Sequence, residues 1–167
     1  VDRLAEIPLD EEKVRDNQII TEWILHYHER KRKYNQRREE ILESSRGSQI
    51  SEVPGRTKYK TSDTTGNKGQ KLADLSKTER WLAFIEELER RLPWKMQIIM
   101  RLRQESRYSR TWGGYWIIYV QRRYAEELAA LFRKRVQDVW VSEESIRAYW
   151  RMILEYAGRL AAKKGLL

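Results

Sequence analysis

Residues 124–160 read YAEELAALFRKRVQDVWVSEESIRAYWRMILEYAGRL, and this stretch decides the fold. Its first part, 124–132, joins strong helix formers to apolar steps at Tyr124, Leu128 and Leu131, the spacing of one helix face. The pattern lapses over 133–141, a turn that opens with Arg133, Lys134 and Arg135. Ser142 is a favoured N-cap, and Glu143 and Glu144 follow in the first turn, where acids suit the positive end of the helix dipole. Beyond it, Ile146, Trp150, Ile153, Ala157 and Leu160 fall on one face, and Arg147, Arg151, Glu155 and Arg159 on the opposite one. Lys163 and Lys164 complement the C-terminal end of the dipole before Gly165 stops the helix. A short helix, a turn and a capped amphipathic helix with arginines outward is the order of a helix-turn-helix. In that arrangement the first helix crosses the DNA backbone and the second puts its N-terminal end into the major groove. Arg133, Lys134 and Arg135 are then the candidate phosphate contacts, which give affinity without sequence information. Ser145, Arg147, Ala148 and Arg151 come nearest the base edges, where an arginine can bond both acceptors of a guanine, and the cap Ser142 is counted with them as a candidate DNA-binding residue.

Working outward, residues 76–167 read as one helical domain. Ser76 and Glu79 have capping-box spacing and are expected to start a helix whose face is Trp81, Leu82, Ile85, Leu88 and Leu92. Pro93 ends that helix and suits the first position of the next, which carries Trp94, Ile98, Ile99 and Leu102. Residues 104–114 are polar, finish in Gly113 and Gly114, and read as a loop. The apolar run 115–120 is expected to be helical, because no strand offers it a pairing partner.

Residues 46–75 are rich in Ser, Thr, Gly and Lys, contain Pro54 and Gly55, and show no apolar period, so they read as a polar linker. The N-terminal block, 1–45, has neither Gly nor Pro after Pro8. Ile20, Ile24, Tyr27, Tyr34 and Ile41 make a heptad-like seam, with Lys31 and Arg38 at the polar positions between. A single helix over 9–45 would be roughly 50 Å long at the standard rise. It cannot bury its stripe alone, so it must pack on the rest of the chain or on a second copy, which makes it the candidate oligomerisation element. Its middle carries six positive charges between Arg30 and Arg38, either a solvated face or a second DNA-backbone contact. The expected class is therefore all-α: a long N-terminal helix, a linker, and a C-terminal helical domain.

Composition narrows the partner. There are 34 Lys and Arg against 25 Asp and Glu, a net charge of +9, which calls for an anionic partner, nucleic acid such as double-stranded DNA or an anionic membrane surface, and charge alone does not separate the two. No apolar run approaches the roughly 20 residues that span a bilayer, and no signal segment opens the chain, so a cytoplasmic, nucleoid-associated protein with no membrane partner is expected. The sequence has no cysteine, which removes disulfides and thiolate metal sites. His26 and His28 lie two apart and point to different helix faces, so no metal is expected there. The segment 66–69 lacks the Lys-Ser/Thr ending of a phosphate loop, and the acids and lysine at Glu11, Glu12 and Lys13 lie at a helix start with no strand to carry nuclease chemistry. Neither an enzymatic activity nor a cofactor is expected. Seven Trp and nine Tyr beside two Phe suit a thin core whose rings keep a polar edge wet; base stacking is the sharper use of such rings.

Leu92 and Pro93 ahead of the helix 94–99, the segment 124–129 and the segment 141–147 together resemble the promoter-reading domain of sigma factors. More closely they resemble phage late-gene transcriptional regulators of the RinA and ArpU type. Those proteins also tend to have a long N-terminal helix and a Ser-Asp-x-Thr-like motif, matched here by Ser62, Asp63, Thr64 and Thr65. Against that family, 104–120 and 133–138 read as insertions. The resemblance implies a sequence-specific regulator of transcription, of phage or prophage origin, acting in a bacterial host and touching RNA polymerase. The alternative is a phage DNA-packaging protein like a small terminase subunit, which pairs a helix-turn-helix with oligomerising helices. A third reading is an interaction module whose charge serves solubility.

Overall fold

The computed structural model describes residues 7–47, 64–108 and 115–167, and every regular element among them is helical. In order these are α1 (Ile7–Leu25), α2 (Tyr27–Gly47), α3 (Thr64–Arg91), α4 (Trp94–Ser106), α5 (Trp116–Phe132) and α6 (Glu143–Lys163), with a 3-10 turn at Val136–Asp138 between the last two. The all-α expectation holds. No helix among the described residues is long and apolar enough to cross a membrane.

The described chain forms two compact units. One runs up to His26 and resumes at Phe84; the other lies between Tyr27 and Ala83. This division cuts across the blocks 1–45, 46–75 and 76–167 expected from composition.

In the first unit α4 packs on α5 and α6, α5 packs on α6, and α1 lies on α4 and α6. The faces that meet are those with helical spacing: Ile20 and Ile24, Ile85 and Leu88, Ile99 and Leu102, Val120 and Tyr124, Ile146 and Ile153 are all fully buried. Each such aliphatic side chain contributes about 1.5–3 kcal/mol relative to leaving it in water. In the second unit Tyr27 is buried and its hydroxyl accepts a 3.0 Å hydrogen bond from Lys31 Nζ. Most of the basic run between Arg30 and Arg38 is exposed, with Lys33 paired to Glu29 at 3.2 Å.

Four details differ from the sequence expectation. The helix expected over 9–45 is two helices that part at His26. No Gly or Pro marks the break. Instead the last carbonyls of α1 find partners at the C-terminal end of α4: buried Gln104 Nε2 donates to Ile24 O at 3.0 Å, and Arg107 Nη1, from the residue that caps α4, donates to Leu25 O at 3.4 Å. Second, α3 already runs from Thr64, so Ser76 is mid-helix and does not cap it, and part of the expected linker is helical. Thr78 Oγ1 bonds back to the carbonyl of Asp74, a local satisfaction that lets a helix interior tolerate such residues. Third, Pro93 is the N-cap of α4 rather than its first residue, and Gln97 Nε2 donates to the carbonyls of Glu89 and Leu92 at the close of α3. Fourth, Leu131 is not in the core: it is 61% exposed, while Tyr124 and Leu128 are buried as expected. The rest of the linker, with Pro54 and Gly55, lies outside the described residues, as do Ser62, Asp63, Gly113 and Gly114.

Candidate nucleic-acid interface

The residues singled out for DNA lie in the first unit, on the connection between α5 and α6 and on the first turns of α6. α5 ends at Phe132 because Arg133 adopts the left-handed conformation, φ 54 and ψ 44. The amide of Lys134 then reaches the carbonyl of Ala129 at 3.0 Å, closing the helix end in the manner usually served by glycine. Arginine there carries a steric cost that glycine would avoid. The side chains of Arg133 and Lys134 are exposed and have no partner among the described residues. Arg135 differs: its guanidinium grips Asp138 with Nε to Oδ2 at 3.0 Å and Nη2 to Oδ1 at 3.3 Å, which folds the 3-10 turn onto itself. Two bare cations therefore project from the connection, and a third is partly neutralised.

The far end of the connection is fixed by Gln121 of α5, whose Nε2 donates to Val141 O at 2.8 Å. Ser142 then caps α6 as expected. Its Oγ accepts from the amide of Ser145 at 3.1 Å and lies 3.0 Å from Ser145 Oγ, so both hydroxyls are engaged with each other. Ala148 is half-buried one turn further on.

The predicted division of α6 into faces holds. Ile146, Trp150, Ile153, Ala157 and Leu160 are buried, and Arg147 and Arg151 keep 42% and 67% of their side chains exposed. Neither arginine is bare. Arg147 Nη2 donates to the hydroxyl of Tyr115 at 2.6 Å, and its guanidinium lies 3.6 Å from Glu143 and 3.7 Å from Glu144. Arg151 Nη2 donates to Glu144 Oε1 at 3.0 Å. Exposed pairs of this kind contribute roughly 0–1 kcal/mol, so a base edge or phosphate could displace them. They pre-aim the guanidinium groups and leave the start of α6 close to charge balance.

Three residues that spacing did not single out build this end of the molecule. Tyr115 stands just before α5 and orients Arg147 from 32 positions upstream, while also donating to Glu143 at 3.3 Å. Gln121 pins the connection. Arg103 of α4 slides under α6: its guanidinium lies 4.4 Å from the Trp116 ring centroid and 5.5 Å from that of Trp150, and the two rings meet edge-to-face at 5.8 Å. Burial holds the Arg103 pKa down to about 10, and its Nε has no hydrogen-bond partner among the described residues. A guanidinium lying against two indoles is a strong contact when desolvated, about 2 kcal/mol or more. The one sequence signal for it was an arginine set among Ile99, Met100 and Leu102 on the inward side of α4.

The strained position offers a two-sided check. Arg133→Gly should raise folding stability by about 1 kcal/mol, because glycine adopts the left-handed conformation without the Cβ clash. The same change should weaken binding to duplex DNA if the guanidinium touches a phosphate. Denaturant titration and a binding isotherm on the same preparation check both halves; a stabilised variant with unchanged affinity would take Arg133 out of the interface.

No family model matches the chain, and neither a curated protein nor a solved structure matches it.

Proposed function

We propose that the chain is a sequence-specific regulator of transcription that binds double-stranded DNA through a helix-turn-helix made of α5, the connection 133–142 and α6. One observation carries this reading: a serine-capped helix, anchored by its own buried Trp150, presents Arg147 and Arg151 outward beside a turn with two cations that have no partner among the described residues. In this reading α5 crosses the phosphate backbone and Arg133 and Lys134 neutralise phosphates on either side of it. Arg147 exchanges Tyr115 and the two glutamates for the acceptors of a guanine, with Arg151 one turn deeper along the groove wall. Glu143 and Glu144 sharpen selectivity, since they repel phosphate and accept only from a base donor such as the cytosine amino group.

A phage or prophage origin and a contact with RNA polymerase belong to the same reading and rest on the motif resemblance of 92–99, 124–129 and 141–147. The packaging alternative drew on one long helix over 9–45; that stretch forms two helices, α1 and α2, and α1 packs on α4 and α6.

The direct test is equilibrium binding of the full chain to a random duplex at several salt concentrations. Affinity should fall linearly on logarithmic axes, with a slope set by the number of phosphates neutralised. Absence of binding at low salt, or an affinity indifferent to salt, would remove DNA as the partner.

A further inference from the structure

Trp94, the first residue of α4, and Phe132, the last of α5, are 45% and 49% exposed, although large rings normally bury most of their surface. Their centroids lie 6.0 Å apart with the ring planes at 60°, so together they offer two adjoining aromatic surfaces. Cations gather on this spot. Lys95 Nζ lies 5.6 Å from the Trp94 centroid, and Arg133 and Lys134, without partners among the described residues, directly follow Phe132. The left-handed conformation of Arg133 ends α5 at this point, so Arg133 and Lys134 stand outside its regular helical face.

We infer that Trp94 and Phe132 form a stacking platform for unpaired nucleobases, with Lys95, Arg133 and Lys134 taking the adjoining phosphates, so that the chain binds single-stranded nucleic acid at this junction. Charge separates this occupant from an apolar protein segment. An aliphatic anchor pressed onto Trp94 would have to strip water from the Lys95 ammonium, with no anion supplied in return. A nucleotide covers the ring with its base and brings a phosphate to the ammonium, so the cation is complemented instead of stranded. Stacking is also tolerant of base identity, because every base has a π face. The inference does not depend on α6 reading a duplex, although Arg133 and Lys134 would serve both ligands.

The test uses the full chain and a labelled oligothymidylate of about 12 nucleotides, followed by fluorescence anisotropy at low salt. The wild type should bind, and binding should quench tryptophan emission. Trp94→Ala and Phe132→Ala should each weaken the oligothymidylate by roughly tenfold, the loss of about one stacked base, and leave a random duplex within about twofold. Trp94→Leu keeps an apolar side chain without the π face and should lose as much as Trp94→Ala; circular dichroism confirms that each variant is folded. Should the alanine variant unfold, the leucine variant and Lys134→Ala carry the test. Absence of oligothymidylate binding by the wild type would overturn the inference, as would a Trp94→Leu variant that binds like the wild type. Binding of an acidic leucine-bearing peptide in place of the oligonucleotide, or self-association abolished by Trp94→Ala, would also overturn it and assign the patch to a protein or a second copy. Arg147→Ala separates the two proposals: it should change the duplex sequence preference and leave oligothymidylate binding intact.

Discussion

Trp150→Ala is expected to cost about 3–5 kcal/mol of folding stability. The indole is 7% exposed and anchors α6, to which it belongs, against the neighbouring helices. Truncation removes its burial, leaves a cavity that the helices around it can close only in part, and deletes the edge-to-face contact with Trp116. It also takes away one of the two rings over which the Arg103 guanidinium is desolvated, leaving a buried cation with fewer partners. Trp150→Phe keeps a ring and should lose noticeably less. Urea titration followed by far-UV circular dichroism reads both, and a cost below about 1 kcal/mol for the alanine variant would mean that α6 is not anchored by this indole.

The second large effect concerns affinity. Replacing Arg133, Lys134 and Arg135 together by alanine should flatten the salt slope of duplex binding by about 0.9 for each phosphate that is no longer neutralised. If all three touch phosphates, the affinity near 0.1 M salt should drop by about 100- to 1000-fold, similarly for every sequence. Arg135 is the member expected to contribute least, since Asp138 already neutralises it. Stability should not fall in step, because all three side chains are exposed, and alanine at 133 keeps the Cβ and so leaves the strain there as it is. A triple variant that binds like the wild type at each salt concentration would place the turn away from the backbone.

α6 was legible in the sequence down to its cap. Ser142, the acids after it and the period of Ile146, Trp150 and Ile153 are local signals, and local signals survive whatever the rest of the chain does. The break at His26 was not legible, because its cause is tertiary: the carbonyls that would continue the helix are taken by Gln104 and Arg107, about eighty positions away. At Ser76 the local rule misled. Ser and Thr favour caps for the same reason that they can be satisfied inside a helix, by a bond to a carbonyl one turn back, and Thr78 takes the second option. Leu131 has the right spacing for the core but sits on the final turn of α5, where the helix runs out before anything covers it. At the candidate interface, spacing predicted that Arg147 and Arg151 face outward. It could not predict that Tyr115 would hold Arg147, since that bond depends on α5 beginning beside the first turn of α6. Nor could charge counting show that Glu143 and Glu144 would engage both arginines.

The central claim is that α6 reads bases. The measurement that tests it most directly is selection of binding sites from a randomised duplex pool by the wild type and by Arg147→Ala, both at one fixed salt concentration. The wild type should return a defined site containing a guanine whose replacement costs about 1–3 kcal/mol, and Arg147→Ala should retain the remainder of the site while losing the preference at that base pair. Stability of the variant should be nearly unchanged, because Arg147 contributes only exposed pairs. Identical preferences for the two proteins, or no preference in either, would contradict base reading by this helix.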